Sequence, residues 1–174
     1  EVDTRCRGPK WFRHPLVGEL TLHVEALQLQ DGERWLYAYS AEPGSPSAEA
    51  LRLLGANIET AVSDGKNLAA RSAMLLGSML AGQAFANSPV AAVHALAYPV
   101  GGTFHVPHGL SNALVLPHVL RFNAPQAAHL YAEIAADAFP HLAAEQGAQG
   151  RCAAFIEELA ALSRRVGLQP RLRD

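Results

Sequence analysis

The chain has 174 residues, of which 49% are hydrophobic and 17% charged, with a formal net charge of −2. That length suits one ordinary domain or two small ones, and the composition excludes a disordered or coiled-coil chain. The mild acidity argues against a nucleic-acid footprint over the whole molecule, and no apolar run is long and uninterrupted enough to span a bilayer.

The opening residues, "EVDTRCRGPKWFRHP", are polar and mixed in charge, without the apolar core of a secretion signal. The expected location is therefore cytoplasmic. The first residue is Glu1 and not Met, so the natural start is expected to lie upstream. Cys6 and Cys152 fit no CxxC pattern, and a disulfide between them is not expected in a cytosolic chain.

Residues 1–47 hold both tryptophans and differ in character from the remainder. "GELTLHVEALQL" alternates, with Leu20, Leu22 and Val24 on one face and Glu19, Thr21, His23 and Glu25 on the other, which predicts a half-buried strand. "QDGER" predicts a turn and "WLYAYSA" a second strand, giving a small β-hairpin. "EPGSPS" then breaks the pattern.

From Ser47 onward the chain reads as helices. Ser47 is the expected cap of "AEALRLLGANIETAV". "KNLAARSAMLLGSMLAGQAFA" is apolar nearly all round, as a helix buried on most sides would be. Ser88-Pro89 is the expected start of "VAAVHALA", and Pro99 with Gly101-Gly102 the expected stop. Pro107 opens "HGLSNALVLPHVLRF", where Pro117 predicts a kink or break, and Pro125 opens "QAAHLYAEIAADAF". "RCAAFIEELAALSRRVG" is amphipathic and ends at Gly167.

Two histidines bracket the loop "HALAYPVGGTFHVPHG": His94 near the expected end of one helix, His108 at the start of the next. Such a connection lets two imidazoles converge, and neutral imidazole suits zinc or ferrous iron. Spacing alone leaves two readings open, metal ligands or ordinary hydrogen-bonded histidines of a helix face. A catalytic metal wants three or more protein ligands and an open position, and two do not hold an ion firmly. Of the others (His14, His23, His105, His118, His129, His141), His105 is near enough to His108 to face the same cavity. Gly101, Gly102 and Gly109 are expected to give the loop backbone room, or to serve simple turn chemistry.

"HALAYPVGGTFHVPHGLSNALVLPHVLRFN", with "AVSDGKNLAARSAMLLGSMLAGQAFANSPVAAVHALAYP" before it, resembles the signature of the iron-containing, group III alcohol dehydrogenases over residues 57–174. The resemblance implies a mainly α fold, a helical bundle of that family's type, preceded here by the small β-hairpin. It implies His94 and His108 as metal ligands, and Phe104 and His105 as lining of the nicotinamide and substrate pocket, with no residue of this chain singled out as catalytic. It implies Fe2+ (or Zn2+) and NAD(P) as cofactors, and a small alcohol or aldehyde as substrate. The family's second histidine, four positions after the first, is replaced here by Tyr98.

The resemblance also implies an aspartate and a histidine four apart on an earlier helix, and an N-terminal dinucleotide-binding domain. No Asp-x-x-x-His precedes His94, no GGGS or GxGxxG occurs, and Asp64 reads as a loop residue before a helix. Instead, "KWFRHPLVGELTLHVEALQLQDGERWLYAYSAEPGSPSAEALRLLGA" resembles the end of the ligand-binding domain of MmyB-like transcriptional regulators. The expected organisation is therefore a sensor-like segment, residues 1–47, joined near "EALRLLGANIETAV" to a dehydrogenase-like metal-binding domain, residues 48–174. The expected activity is that of a metal-dependent alcohol dehydrogenase, incomplete for catalysis alone. The alternatives are a ligand-binding regulatory module, or a hybrid remnant whose exposed apolar faces favour self-association, a homo-oligomer included.

Overall fold

The computed structural model describes residues 7–14, 18–28, 35–40, 45–85 and 90–168. Three strands, β1 (Arg7–His14), β2 (Gly18–Gln28) and β3 (Trp35–Ser40), form an antiparallel sheet in that order. The expected hairpin is β2–β3, in register with Leu27 opposite Leu36 and Gln28 opposite Trp35. Its turn, Gln30–Arg34, lies outside the described residues, as does Cys6. The sequence reading missed β1, which pairs along β2 from Arg7 opposite Glu25 to His14 opposite Gly18. Pro9 and the lack of alternation hid it. An edge strand accepts a proline, because a missing N–H on the open side breaks no ladder bond.

The other described elements are helical: α1 (Pro46–Ser63), α2 (Leu68–Phe85), α3 (Ala92–Phe104), α4 (His108–Ala138) and α5 (Gly147–Arg165), with a 3-10 turn at Pro140–Ala144. The mainly α architecture is as expected, but several boundaries are not. The cap of α1 is Ser45 and not Ser47: the Ser45 hydroxyl accepts the Ala48 N–H at 3.2 Å, and Pro46 sits at the first helical position. Proline suits that position because its missing N–H would be unpaired there anyway. Asn67 caps α2 in the same way, its Oδ1 accepting from Ala70 N at 3.0 Å. Asp64 is a turn residue as expected, its carboxylate accepting from Lys66 N at 3.2 Å.

Prolines punctuate less than the sequence suggests. Ser88-Pro89 lies outside the described residues, and α3 begins at Ala92 without a side-chain cap. Pro99 and Gly101-Gly102 do not stop α3, which continues to Phe104 and ends at His105 in the left-handed conformation (φ 55°). Pro117 does not break the next helix and Pro125 does not open a new one, since α4 runs unbroken over 31 residues. An interior proline removes one helical hydrogen bond and crowds the preceding turn. Packing along α4 offsets that cost: Pro117 itself is buried, and Ala127, Ala128, Leu130, Ala132, Ala135 and Ala138 form a buried stripe beyond Pro125.

The core lies between α4 and α5, where Leu120, Ala128, Ala135, Phe139, Cys152, Phe155 and Ile156 cluster. Arg121 pairs with Glu157 across these helices at 2.6 Å, and Arg165 of α5 reaches both Glu158 at 2.7 Å and Glu59 of α1 at 2.9 Å. Cys152 is free and buried, and burial pushes its thiol pKa up. The helix α1 meets the end of α4 through Gly55, where an added Cβ would stand 2.0 Å from the Ala138 carbonyl oxygen. The helix α2 meets α1 through Gly77, whose Cβ would lie 3.0 Å from Leu54 Cγ. Contrary to expectation, α2 is not buried on most sides: it buries Ala70 and Gly77, while Leu68, Leu75, Met79 and Phe85 are exposed. Among the described residues, no helix is long and apolar enough to cross a membrane.

Candidate metal centre

The site is built where α3 and α4 meet. Residues 105–107 turn the chain so that the first turn of α4 lies beside α3. A Cβ on Gly101 would stand 3.3 Å from the Val106 carbonyl oxygen and 3.9 Å from Ser111 Oγ, so this glycine allows the close approach. Gly102 and Gly109 have open space around them and no positive φ, so the expected backbone requirement holds for Gly101 alone. Ser111 is fully buried, and its hydroxyl donates to the His108 carbonyl at 2.9 Å, tightening the start of α4.

His94 is the third residue of α3 and not near its end, because the helix passes through Pro99. His108 is the first residue of α4. Their ring centroids are 5.3 Å apart at an interplanar angle of 51°. Two imidazoles sharing one tetrahedral ion, each nitrogen about 2.0–2.1 Å from it, would hold their centroids about 5 Å apart. The spacing of this pair therefore fits part of a coordination sphere.

Aromatic rings frame the pair. Tyr98 stacks on His108 with centroids 5.8 Å apart and planes 16° from parallel, and meets His94 edge-on at 6.0 Å. Phe85, the last residue of α2, stacks on His94 at 5.9 Å. Asn112, one helical turn after His108, places its Nδ2 3.1 Å from His108 Nε2. Sequence reading set Tyr98 aside as a departure from a pattern and passed over Phe85 and Asn112. A signal existed for two of them: residues four apart share a helix face, and His94–Tyr98 and His108–Asn112 both have that spacing. Expecting α3 to stop at Pro99 concealed the first.

Phe104 and His105 lie at the C-terminal end of α3, both exposed, and join none of the ring contacts of the His94–His108 cluster. Among the described residues, no group of three or more His, Cys, Asp or Glu side chains converges. Among the described residues, the candidate donors that come together at this site are thus the two imidazoles.

Comparison with known proteins places these elements. Residues 44–174 match the C-terminal part of the Fe-containing alcohol dehydrogenase family, and residues 1–54 match the MmyB-like transcription regulator ligand-binding domain. The two matches overlap on Ser45 and the first turns of α1, which is one continuous helix. The 1,3-propanediol dehydrogenase of Citrobacter freundii is 36% identical over 148 residues, covering 79% of this chain and 36% of that protein. The lactaldehyde reductase of Escherichia coli (strain K12) is 35% identical over 126 residues, covering 72% of this chain and 32% of that protein. In three dimensions, a crystal structure of 1,3-propanediol oxidoreductase matches with a TM-score of 0.70 at 36% identity, over 74% of this chain and 34% of that one. An alcohol dehydrogenase from Oenococcus oeni matches with a TM-score of 0.68 at 31% identity, over 73% and 33%. The chain thus spans about a third of the length of these relatives.

Proposed function

The chain belongs to the Fe-containing alcohol dehydrogenase family, and on that premise we propose that His94 and His108 are two ligands of a divalent metal centre, Fe2+ or Zn2+. The observation that carries this reading is the 5.3 Å separation of the two imidazoles at the α3–α4 junction. The activity to which they contribute is NAD(P)-linked hydride transfer between a small alcohol and its aldehyde, in the cytoplasm. In it the metal, when bound, polarises the alcohol or carbonyl oxygen as a Lewis acid, and the nicotinamide carries the hydride.

The parts this chain supplies are positional. Its two imidazoles present nitrogen donors, and Tyr98 and Phe85 pack against those rings and restrict their motion. Phe104 and His105, exposed at the end of α3, would line the nicotinamide and substrate pocket against the rest of a full-length enzyme. Two donors bind an ion weakly, so the 174-residue chain by itself takes up metal weakly and does not turn over an alcohol with NAD(P). The test is titration of the purified chain with Zn2+ or anaerobic Fe2+. Weak uptake that disappears in His94→Ala and in His108→Ala supports the assignment, and uptake indifferent to both overturns it. NAD-dependent oxidation of 1,3-propanediol by the chain alone would refute its incompleteness.

For residues 1–47 we propose a different descent, from the end of a regulator's sensor domain, on the strength of the match over residues 1–54. Sequencing the genomic DNA upstream of residue 1 decides it, since an in-frame helix-turn-helix is expected there.

A further inference from the structure

We propose that Asn112 is a positioning residue for His108: its amide N–H holds His108 Nε2 as an acceptor, which selects the Nδ1–H tautomer and occupies the lone pair a metal ion would use. The second half rests on the metal reading of His108 above. The carrying observations are two. Asn112 Nδ2 stands 3.1 Å from His108 Nε2, and Asn112 Oδ1 is buried without a hydrogen-bond partner.

These observations favour one direction for the bond. With Nδ2 donating, one acceptor oxygen is left buried and unpaired. Turning the amide over would let Oδ1 accept from an Nε2–H, but it would put the NH2 group, with both its donors, into the position that offers no partner. Orphaned buried N–H groups are rarer than under-satisfied carbonyl oxygens. A neutral imidazole has one donor nitrogen and one acceptor nitrogen, so an accepting Nε2 places the proton on Nδ1. The surroundings hold the ring in place beside Asn112. Tyr98 lies nearly parallel to the His108 ring, and the buried Ser111 hydroxyl ties to the His108 carbonyl. Both limit the freedom of the first turn of α4, on which His108 and Asn112 lie one turn apart.

The consequence for metal uptake follows from a single lone pair having two claimants. An ion that takes His108 through Nε2 must displace the Asn112 amide, which then loses its remaining protein partner in the site. Asn112 keeps the imidazole in the tautomer that binds through Nε2 while competing for that same nitrogen.

The experiment reads the tautomer first. Two-bond 1H–15N correlation spectra of the full chain, recorded at about pH 9 where an ordinary imidazole is neutral, are expected to show Nδ1–H for His108. In Asn112→Asp the carboxylate accepts and does not donate, so the spectra are expected to reverse to Nε2–H. A wild-type Nε2–H form, or an Nδ1–H form unmoved in Asn112→Asp, overturns the proposal. The wild-type spectrum alone keeps it falsifiable should the variant fail to fold. The second reading is Zn2+ affinity. Asn112→Leu is expected to bind Zn2+ several-fold, about fivefold, tighter than wild type, the scale of one net hydrogen bond removed from the competition. Unchanged affinity overturns the displacement, and a His108→Ala background that still shows the gain overturns it too. A reversed tautomer with Zn2+ binding that ignores both His94 and His108 sinks the metal reading while the role of Asn112 in selecting the tautomer stands.

Discussion

The two long apolar helices α2 and α4 have opposite fates. The helix α4 buries Pro117, Val119, Leu120 and several alanines, and its Leu120, Ala128, Ala135 and Ala138 cluster with residues of α5 and the 3-10 turn. The helix α2 is apolar around most of its circumference, yet it buries only Ala70 and Gly77. Leu68, Leu75 and Met79 share one face, and they are 76%, 75% and 52% exposed. Apolar composition therefore measures what a helix is able to bury, whereas its neighbours determine what it does bury.

The sharpest way to break this contrast is truncation on either side of it. Phe155 is 5% exposed and packs on Phe139 with ring centroids 6.0 Å apart. Phe155→Ala is expected to cost about 3–5 kcal/mol of unfolding free energy, by loss of burial plus the cavity left behind. Denaturant titration measures it, and a cost under about 1 kcal/mol would show that the α4–α5 core is not where stability resides.

Gly55→Ala comes next. Alanine improves helix propensity, but its Cβ would meet the Ala138 carbonyl at 2.0 Å, and backbone has little room to give. The expected outcome is a net loss of about 2–3 kcal/mol, with α1 displaced from α4. A neutral or stabilised variant would mean that α1 does not dock there.

A smaller effect is expected at alkaline pH. Burial raises the Tyr131 pKa, partly opposed by the hydrogen bond from Asn123 at 3.2 Å. A raised folded pKa means that this stability is fully present below the unfolded value near 10.0 and is lost as pH rises through the folded one. Stability measured upward from that value should therefore decline in the wild type, and Tyr131→Phe should flatten the decline. Conversely, the Arg121 guanidinium holds the Glu157 carboxyl below its usual pKa. That contribution is present above the unfolded carboxylate pKa and fades as pH falls through the folded one. Arg121→Ala should remove this part of the acid-side slope.

The smallest effect belongs to α2. Leu75→Ala removes a side chain that is 75% exposed, so a change within about 0.5 kcal/mol is expected. A cost comparable with that of Phe155→Ala would mean the exposed face is covered in solution, and the contrast between the two helices would vanish.

Particular elements show where sequence reading worked. It found α5 and its end at Gly167, whose φ is +79°, because amphipathic spacing and a terminal glycine are local signals. It singled out His94 and His108, whose rings meet in the structure. It expected a stop at Pro99, a kink or break at Pro117 and a helix start at Pro125, whereas α3 runs through Pro99 and α4 is unbroken through Pro117 and Pro125. A proline's penalty is local, but along α4 the compensation comes from residues distant in sequence, such as Cys152 and Phe155. It missed β1 because an edge strand's pairing depends on β2 and not on its own alternation.

By itself, then, the sequence determined the mainly helical character, the division of style between residues 1–47 and the remainder, and the pair of imidazoles with their family signature. These rest on composition and short-range spacing, which every chain carries in its primary structure. Tertiary structure alone decided that α3 and α4 run through their prolines, that Tyr98, Phe85 and Asn112 gather around the histidines, and that α2 leaves its apolar face open. Each of those outcomes depends on which surfaces meet across long stretches of chain, and a local pattern holds no record of its distant neighbour.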